Sequence, residues 1–121
     1  MTKIQNSKQY DLEDRTLEFA RRVREFIRRI DRTLANVEDS KQLIRSSGSI
    51  GANYIEANEA LSKKDFAMRA KICRKEAKES RYWLRLIDTG SNEDLKQEKT
   101  VLEGEANELT HIFGSIVTKS K

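Results

Sequence analysis

The sequence predicts an all-α protein, folded as an antiparallel up-down-up-down four-helix bundle. Its 121 residues include no proline and only five glycines, whereas loops, turns and sheet edges commonly use both residue types. Apolar residues recur at helical spacing in four long segments, and three of these segments follow side chains that can cap a helix. We expect one domain at residues 11–119, preceded by a flexible N-terminal segment at residues 1–10.

The first predicted helix occupies residues 11–33 and begins at Asp11 or Asp14, either of which can act as a cap. Its apolar stripe has members three or four residues apart: Leu12, Thr16, Phe19, Val23, Phe26 and Ile30. We expect four further residues to widen the stripe: Leu17, Ala20, Ile27 and Leu34. This arrangement is typical of a helix that packs one face against a core.

The second segment follows a capping signal at Asn36 and allows two interpretations. Its apolar residues keep helical spacing: Leu43, Ile44, Ile50, Tyr54 and Leu61. The run SSGSIG at residues 46–51 interrupts them, and an interior glycine costs a helix about 1 kcal/mol relative to alanine. The run is therefore either a loop or a helix face of small residues that another backbone can approach closely. The spacing favours the helix.

The third and fourth segments show the clearest helical signals. Ser62 and Ser91 each precede an aspartate by three residues, which places a cap and an acidic side chain at a helix start. Apolar or small residues of the third segment alternate in steps of four and three, as in a bundle helix: Phe66, Ala70, Cys73, Ala77, Ser80, Leu84 and Ile87. Gly90 then provides a stop. The fourth stripe consists of Leu95, Leu102, Leu109, Ile112, Phe113, Ile116 and Val117.

Three motifs resemble a bacterial family of four-helix-bundle proteins, first noticed as reading frames inside intervening sequences of large-subunit ribosomal RNA genes. They are YDLEDRT at residues 10–16, RSSGSIGANYIEA at 45–57 and KEAKESRYWL at 75–84. The similarity extends from about Tyr10 to Ile116. A more distant relative is the accessory protein of diversity-generating retroelements, a pentamer that binds a reverse transcriptase and nucleic acid.

The resemblance implies a left-handed bundle, assembly as a ring-shaped homopentamer, and no established catalytic activity. It also implies that the small residues at 46–51 lie within the second helix. The sequence lacks the proline-containing turn that the family places between its first two helices, and Asn36 stands there instead.

Candidate enzyme and metal sites are few. A di-iron bundle needs two Glu-x-x-His pairs, but His111 is the only histidine, and only Glu108 precedes it at the required spacing. Cys73, the only cysteine, belongs to an apolar stripe, where a thiol is inert. We therefore expect no enzyme, no metal and no cofactor.

Basic residues are concentrated in the third segment, where residues 63–88 hold nine basic and four acidic side chains. They form a basic face that, with basic residues of the first segment, is typical of a phosphate-binding surface. The alternative is an ordinary solvated surface. The candidate nucleic-acid ligands are Arg21, Arg24, Arg28, Arg32, Lys64, Lys71, Arg74, Lys75, Lys78, Arg81 and Arg85.

The resemblance motifs also contain candidates for a structural network or an interface between subunits. Acidic residues near apolar positions need a cation such as Arg45 or Arg81, because an unpaired buried charge is costly. Aromatic residues are frequent interface anchors. The candidates are Arg45, Gly48, Gly51, Asn53, Tyr54, Glu56, Glu76, Glu79, Tyr82 and Trp83.

The sequence leaves two functions open. One is a homo-oligomer that binds RNA or other nucleic acid, and the other is an adaptor or accessory subunit for a protein such as a reverse transcriptase. The first ten residues lack the apolar run of a signal peptide, and no stretch is apolar enough to span a membrane. The expected location is the cytoplasm.

Overall fold

The computed structural model describes residues 8–120, with side chains from Leu12 onward, and this part of the chain forms four helices. They are α1 (Lys8–Arg29), α2 (Leu34–Asn58), α3 (Lys63–Leu86) and α4 (Glu93–Lys119). Each helix packs against the next, and α4 packs back against α1. This confirms the all-α four-helix bundle. Residues 1–7 of the predicted N-terminal segment lie outside the described residues, and residues 8–10 belong to α1.

The core is built from the predicted apolar stripes. All six residues of the main α1 stripe are buried, as are Cys73, Ala77 and Leu84 of α3. Two of the residues expected to widen the α1 stripe are placed differently. Leu17 is half-exposed, and Leu34 belongs to the first turn of α2, where it is 82% exposed. Fewer hydrophobic residues therefore reach the core than the sequence pattern predicts.

The prediction of a continuous second helix is confirmed, because α2 runs through residues 46–51 without a break. The small residues bring neighbouring helices close together. A Cβ atom added at Gly51 would lie 2.9 Å from Thr16 Oγ1 of α1, and the hydroxyl oxygens of Ser46 and Ser80 are 2.8 Å apart. Leu61 was wrongly assigned to this helix: it follows the end of α2 and is 97% exposed.

The predicted helix starts are only partly correct. Ser62 caps α3 by accepting a hydrogen bond from the Asp65 N–H, as expected. The cap of α2 is Thr33 rather than Asn36, and that of α4 is Asn92 rather than Ser91. Asp11 and Asp14 are not caps, because α1 already begins at Lys8. The starts of α1 and α2 were placed too late in the sequence, whereas that of α4 was placed one residue too early.

Ion pairs attach α1 to α4. Arg15 donates to both carboxylate oxygens of Glu105, at 2.7 and 2.9 Å, and to Glu108 at 2.6 Å. Hydrogen bonding to Glu105 is the main reason that the pKa of Arg15 lies above its usual value. Arg22, seven residues further along α1, pairs with Glu98 of α4. Within residues 8–120, no helix has the length and apolar character needed to cross a bilayer.

Candidate nucleic-acid interface

The predicted nucleic-acid ligands lie on two separate surfaces, because α1 and α3 are diagonal to each other in the bundle and do not pack together. One surface belongs to α1 and the connection that follows it, with Arg21, Arg24, Arg28 and Arg32. The other surface belongs to α3 and holds the seven remaining candidates. The structure therefore does not join the two basic rows within one chain.

The arginines of α1 are partly engaged in structural contacts. Arg24 donates to the Ala20 carbonyl oxygen at 3.2 Å, and its guanidinium lies over Gly48 of α2, 3.4 Å from where a Cβ atom would be. Arg28 pairs with Glu25 on the same helix. Arg24 thus covers Gly48 of α2 and is partly committed to a contact within the chain.

Three cations of α3 line an open groove between α3 and α4, which we call the α3–α4 groove. They are Arg74, Lys78 and Arg81, on one side of the helix in steps of four and three residues. The opposite wall is formed by short or polar residues of α4: Asn107, Thr110, His111, Gly114, Ser115 and Thr118. Lys119 adds a fourth cation at one end. The groove has a volume of about 750 Å³.

Gly114 keeps the middle of this groove open. A Cβ atom at this position would lie 3.7 Å from Arg74 Cδ, which is an ordinary contact. Any longer side chain at residue 114 would point into the space that the groove now offers. An interior glycine weakens a helix by roughly 0.5–1 kcal/mol relative to alanine. Gly114 therefore makes α4 locally less stable but leaves the groove open.

The electrostatics of the groove are one-sided. None of the described residues that line it is acidic, and its three α3 cations form no ion pair with any other described side chain. Lys75, by contrast, lies 3.8 Å from Glu76 on the other side of α3. The positive charge of Arg74, Lys78 and Arg81 is therefore available to an external anion.

A second surface, formed where α2 meets α3, contains half of the predicted interface residues. We call it the α2–α3 face and define it by Arg45, Glu76, Glu79, Tyr82 and Trp83. Glu76 is buried, yet its Oε1 accepts no hydrogen bond among the described residues and lies 4.0 Å from Arg45. Glu79 is 3.8 Å from the same guanidinium. The predicted acidic network therefore exists here in a loose form.

The aromatic pair of the α2–α3 face is only partly covered. Trp83 packs against the core, while Tyr82 is 56% exposed and contacts Trp83 edge-on, with ring centroids 5.0 Å apart. The buried Trp83 Nε1 has no acceptor within the described part of the chain. Most buried polar atoms in folded proteins have a hydrogen-bond partner. Two such atoms without partners, next to an exposed aromatic ring, are therefore unusual for a surface that faces only solvent.

The other predicted interface residues have structural positions. Asn53 accepts a hydrogen bond from Arg69 at 2.9 Å, and the buried Tyr54 stacks edge-on against Phe113. Burial raises the pKa of the Tyr54 hydroxyl. Glu56 is exposed on α2, so it takes no part in a buried network within the chain, and its candidate role at an interface between subunits stays a prediction.

The candidates for chemistry stay apart from one another. Cys73 is fully buried and donates to the Ile50 carbonyl oxygen at 3.4 Å, and burial raises the pKa of its thiol to about 12. His111 is exposed on the wall of the groove. In the described part of the chain, no three histidine, cysteine or acidic side chains converge as ligands of one metal ion would.

Sequence reasoning missed the α4 wall of the groove. Only Gly114 offered a signal, as a glycine within an otherwise regular helix. Thr110, Ser115 and Lys119 look like ordinary surface residues in the sequence. They form a wall only because α4 packs antiparallel to α3 with this side turned toward Arg74.

Comparison with known proteins gives the same fold and one family. A family model described as 23S rRNA-intervening sequence protein matches residues 8–115. The chain is also similar to a crystal structure from Bacteroides thetaiotaomicron, described as a protein of unknown function from the S23 ribosomal protein family. That match has 32% sequence identity and a TM-score of 0.72, and covers 93% of this chain and 99% of that chain. The curated proteins include no match.

Proposed function

The chain belongs to the 23S rRNA-intervening sequence protein family, and we propose that it is a non-enzymatic homo-oligomer that binds RNA or other nucleic acid. The observation that carries this proposal is the α3–α4 groove, where Arg74, Lys78 and Arg81 are free of acidic partners among the described side chains. Lysine and arginine that neutralise phosphates supply most of the affinity of non-specific nucleic-acid binding.

The chemistry of the groove favours contact with the nucleic-acid backbone over recognition of bases. Among the residues that the structure describes, its lining includes no phenylalanine, tyrosine or tryptophan on which a base could stack. Hydroxyl groups and cations are the groups that contact phosphate and sugar oxygens, and such contacts carry no sequence information. We therefore expect binding that tolerates many sequences.

Self-association would strengthen this binding. Each chain has a formal net charge of only +4, so a single copy would bind weakly. Several copies held together would present several grooves to one nucleic acid, and linked contacts multiply affinity. The pentamer expected from the family resemblance would have this effect. The α2–α3 face supports self-association, because a neighbouring subunit could supply the partners that Glu76 and Trp83 lack.

The α2–α3 face also favours a second candidate function, that of an adaptor or accessory subunit for a nucleic-acid enzyme such as a reverse transcriptase. Tyrosine and tryptophan are enriched among the residues that dominate protein interfaces, and Tyr82 is exposed next to Trp83. In this case another protein, rather than a second copy, would cover the face.

Salt-dependent binding tests the first function. Fluorescence anisotropy with labelled RNA should show log Kd rising linearly with log salt concentration, with a slope of about 0.7 per phosphate contacted on a single strand. A flat response, or no binding at about 50 mM salt, would remove the proposal. Capture of one defined protein from a lysate, unchanged by nuclease treatment and lost in Tyr82→Ser, would support the adaptor instead.

A further inference from the structure

We propose that the α3–α4 groove holds one single phosphodiester strand and excludes a duplex. This inference rests on the proposed nucleic-acid binding and adds the class of ligand. The groove lies between two helices in direct contact, and the axes of such helices are about 8–10 Å apart. The two strands of B-DNA are separated by a major groove about 12 Å wide, so both strands of a duplex cannot lie between these walls at once.

The positions of the cations fit a stacked strand that follows α3. Arg74 and Arg81 are seven residues apart, which corresponds to about 10 Å along a helix axis at 1.5 Å per residue. A stacked strand advances about 3.4 Å per nucleotide. The row of three cations therefore spans about three nucleotide steps of one strand, at about 3.4 Å per step.

The α4 wall completes the site with hydrogen-bonding groups of the right kind. Thr110, Ser115 and Thr118 offer hydroxyl groups, and Asn107 offers an amide. These groups can both donate to and accept from sugar hydroxyls, and the ribose 2′-hydroxyl is the feature that distinguishes RNA from DNA. A single strand within the groove reaches this wall, whereas a duplex that rests on the outer edge of the groove would contact cations but not the wall.

Gly114 allows a direct test that leaves the charge of the groove unchanged. Gly114→Gln places a neutral side chain of a good helix former in the middle of the groove. Gly114→Ala is the matched control, because its Cβ atom makes only an ordinary 3.7 Å contact with Arg74. Thermal unfolding followed by circular dichroism would verify that both variants fold.

The probes are a labelled single-stranded RNA of twelve nucleotides, the DNA strand of the same sequence, and the DNA duplex that contains this strand. We expect wild-type protein to bind the single strands at least about tenfold more tightly than the duplex, a difference of about 1.4 kcal/mol. Gly114→Gln should remove most of this preference, and Gly114→Ala should keep it. Tighter binding of RNA than of DNA would indicate contact with the 2′-hydroxyl.

The possible failures are distinguishable. Equal affinity for single strands and duplex, or unchanged single-strand affinity in Gly114→Gln, would overturn the groove as a single-strand site while the proposed nucleic-acid binding stood. Absence of binding to every probe at low salt would overturn both the binding function and this inference.

Discussion

Asn36 and Asp88 are joined by two hydrogen bonds that connect both loops at one end of the bundle. Asn36 Nδ2 donates to the Asp88 carbonyl oxygen at 2.9 Å, and the Asp88 N–H donates to Asn36 Oδ1 at 3.0 Å. The same amide also donates to the Asp31 carbonyl oxygen at 3.0 Å. Asn36 is 2% exposed, so the connection between α1 and α2 is fixed to that between α3 and α4 inside the protein.

The first prediction concerns this connection. Asn36→Ala should lower the free energy of unfolding by about 2–3 kcal/mol, because it removes three partly buried hydrogen bonds to backbone groups of Asp31 and Asp88. Chemical denaturation measures the change. Asn107→Ala, at a half-buried position on α4, is the control and should change stability by less than about 0.5 kcal/mol. Equal effects of the two variants would show that the Asn36 hydrogen bonds do not stabilise the loops.

The second prediction concerns the close approach of α1 and α2. Gly51→Ala should destabilise the fold by about 1–3 kcal/mol, because its Cβ atom would lie 2.9 Å from Thr16 Oγ1. Gly104→Ala meets no atom within 4 Å and should stabilise α4 by about 0.5–1 kcal/mol. Adding Thr16→Ala to Gly51→Ala should recover part of the loss. A stabilising effect of Gly51→Ala alone would contradict the observed packing.

The third prediction concerns Cys73 at alkaline pH. Its folded pKa is raised to about 12 from 9.0 by burial, so the unfolded chain ionises first as the pH rises. The free energy of unfolding should therefore fall as the pH rises from about 9 toward about 12. Cys73→Ala should remove this decrease. At neutral pH a thiol reagent should modify Cys73 only after unfolding, and rapid modification of the folded protein would contradict its burial.

The fourth prediction concerns the α2–α3 face as an interface. Tyr82→Asp should dissociate the proposed oligomer into folded monomers, because a charge would then be buried where we propose that the aromatic ring contacts the next subunit. Light scattering after gel filtration measures the mass. Leu61→Asp, at a 97% exposed position outside this face, should leave the mass unchanged. An intact oligomer in Tyr82→Asp would show that this face is not the interface between subunits.

Local patterns in the sequence predicted the helices well. The stripe from Leu12 to Ile30 is buried because helical spacing alone puts these residues on one face. Asn36 was mistaken for a cap because its true partner, Asp88, is 52 residues away. The sequence also identified Arg74, Lys78 and Arg81 as candidate ligands but could not place them in a groove. The wall opposite them depends on how α4 is turned against α3, which no local pattern specifies.

The most direct test of the proposed function compares two pairs of charge-removing substitutions in one binding assay. Lys78→Gln with Arg81→Gln removes two groove cations, whereas Lys41→Gln with Lys96→Gln removes two exposed lysines that pair with Glu38 and Glu93. We expect the groove pair to weaken binding of single-stranded RNA at least about tenfold and to reduce the salt slope by about 1.4. The control pair should change little. Equal losses in both pairs, or none in the groove pair, would contradict the assignment of nucleic-acid binding to this groove.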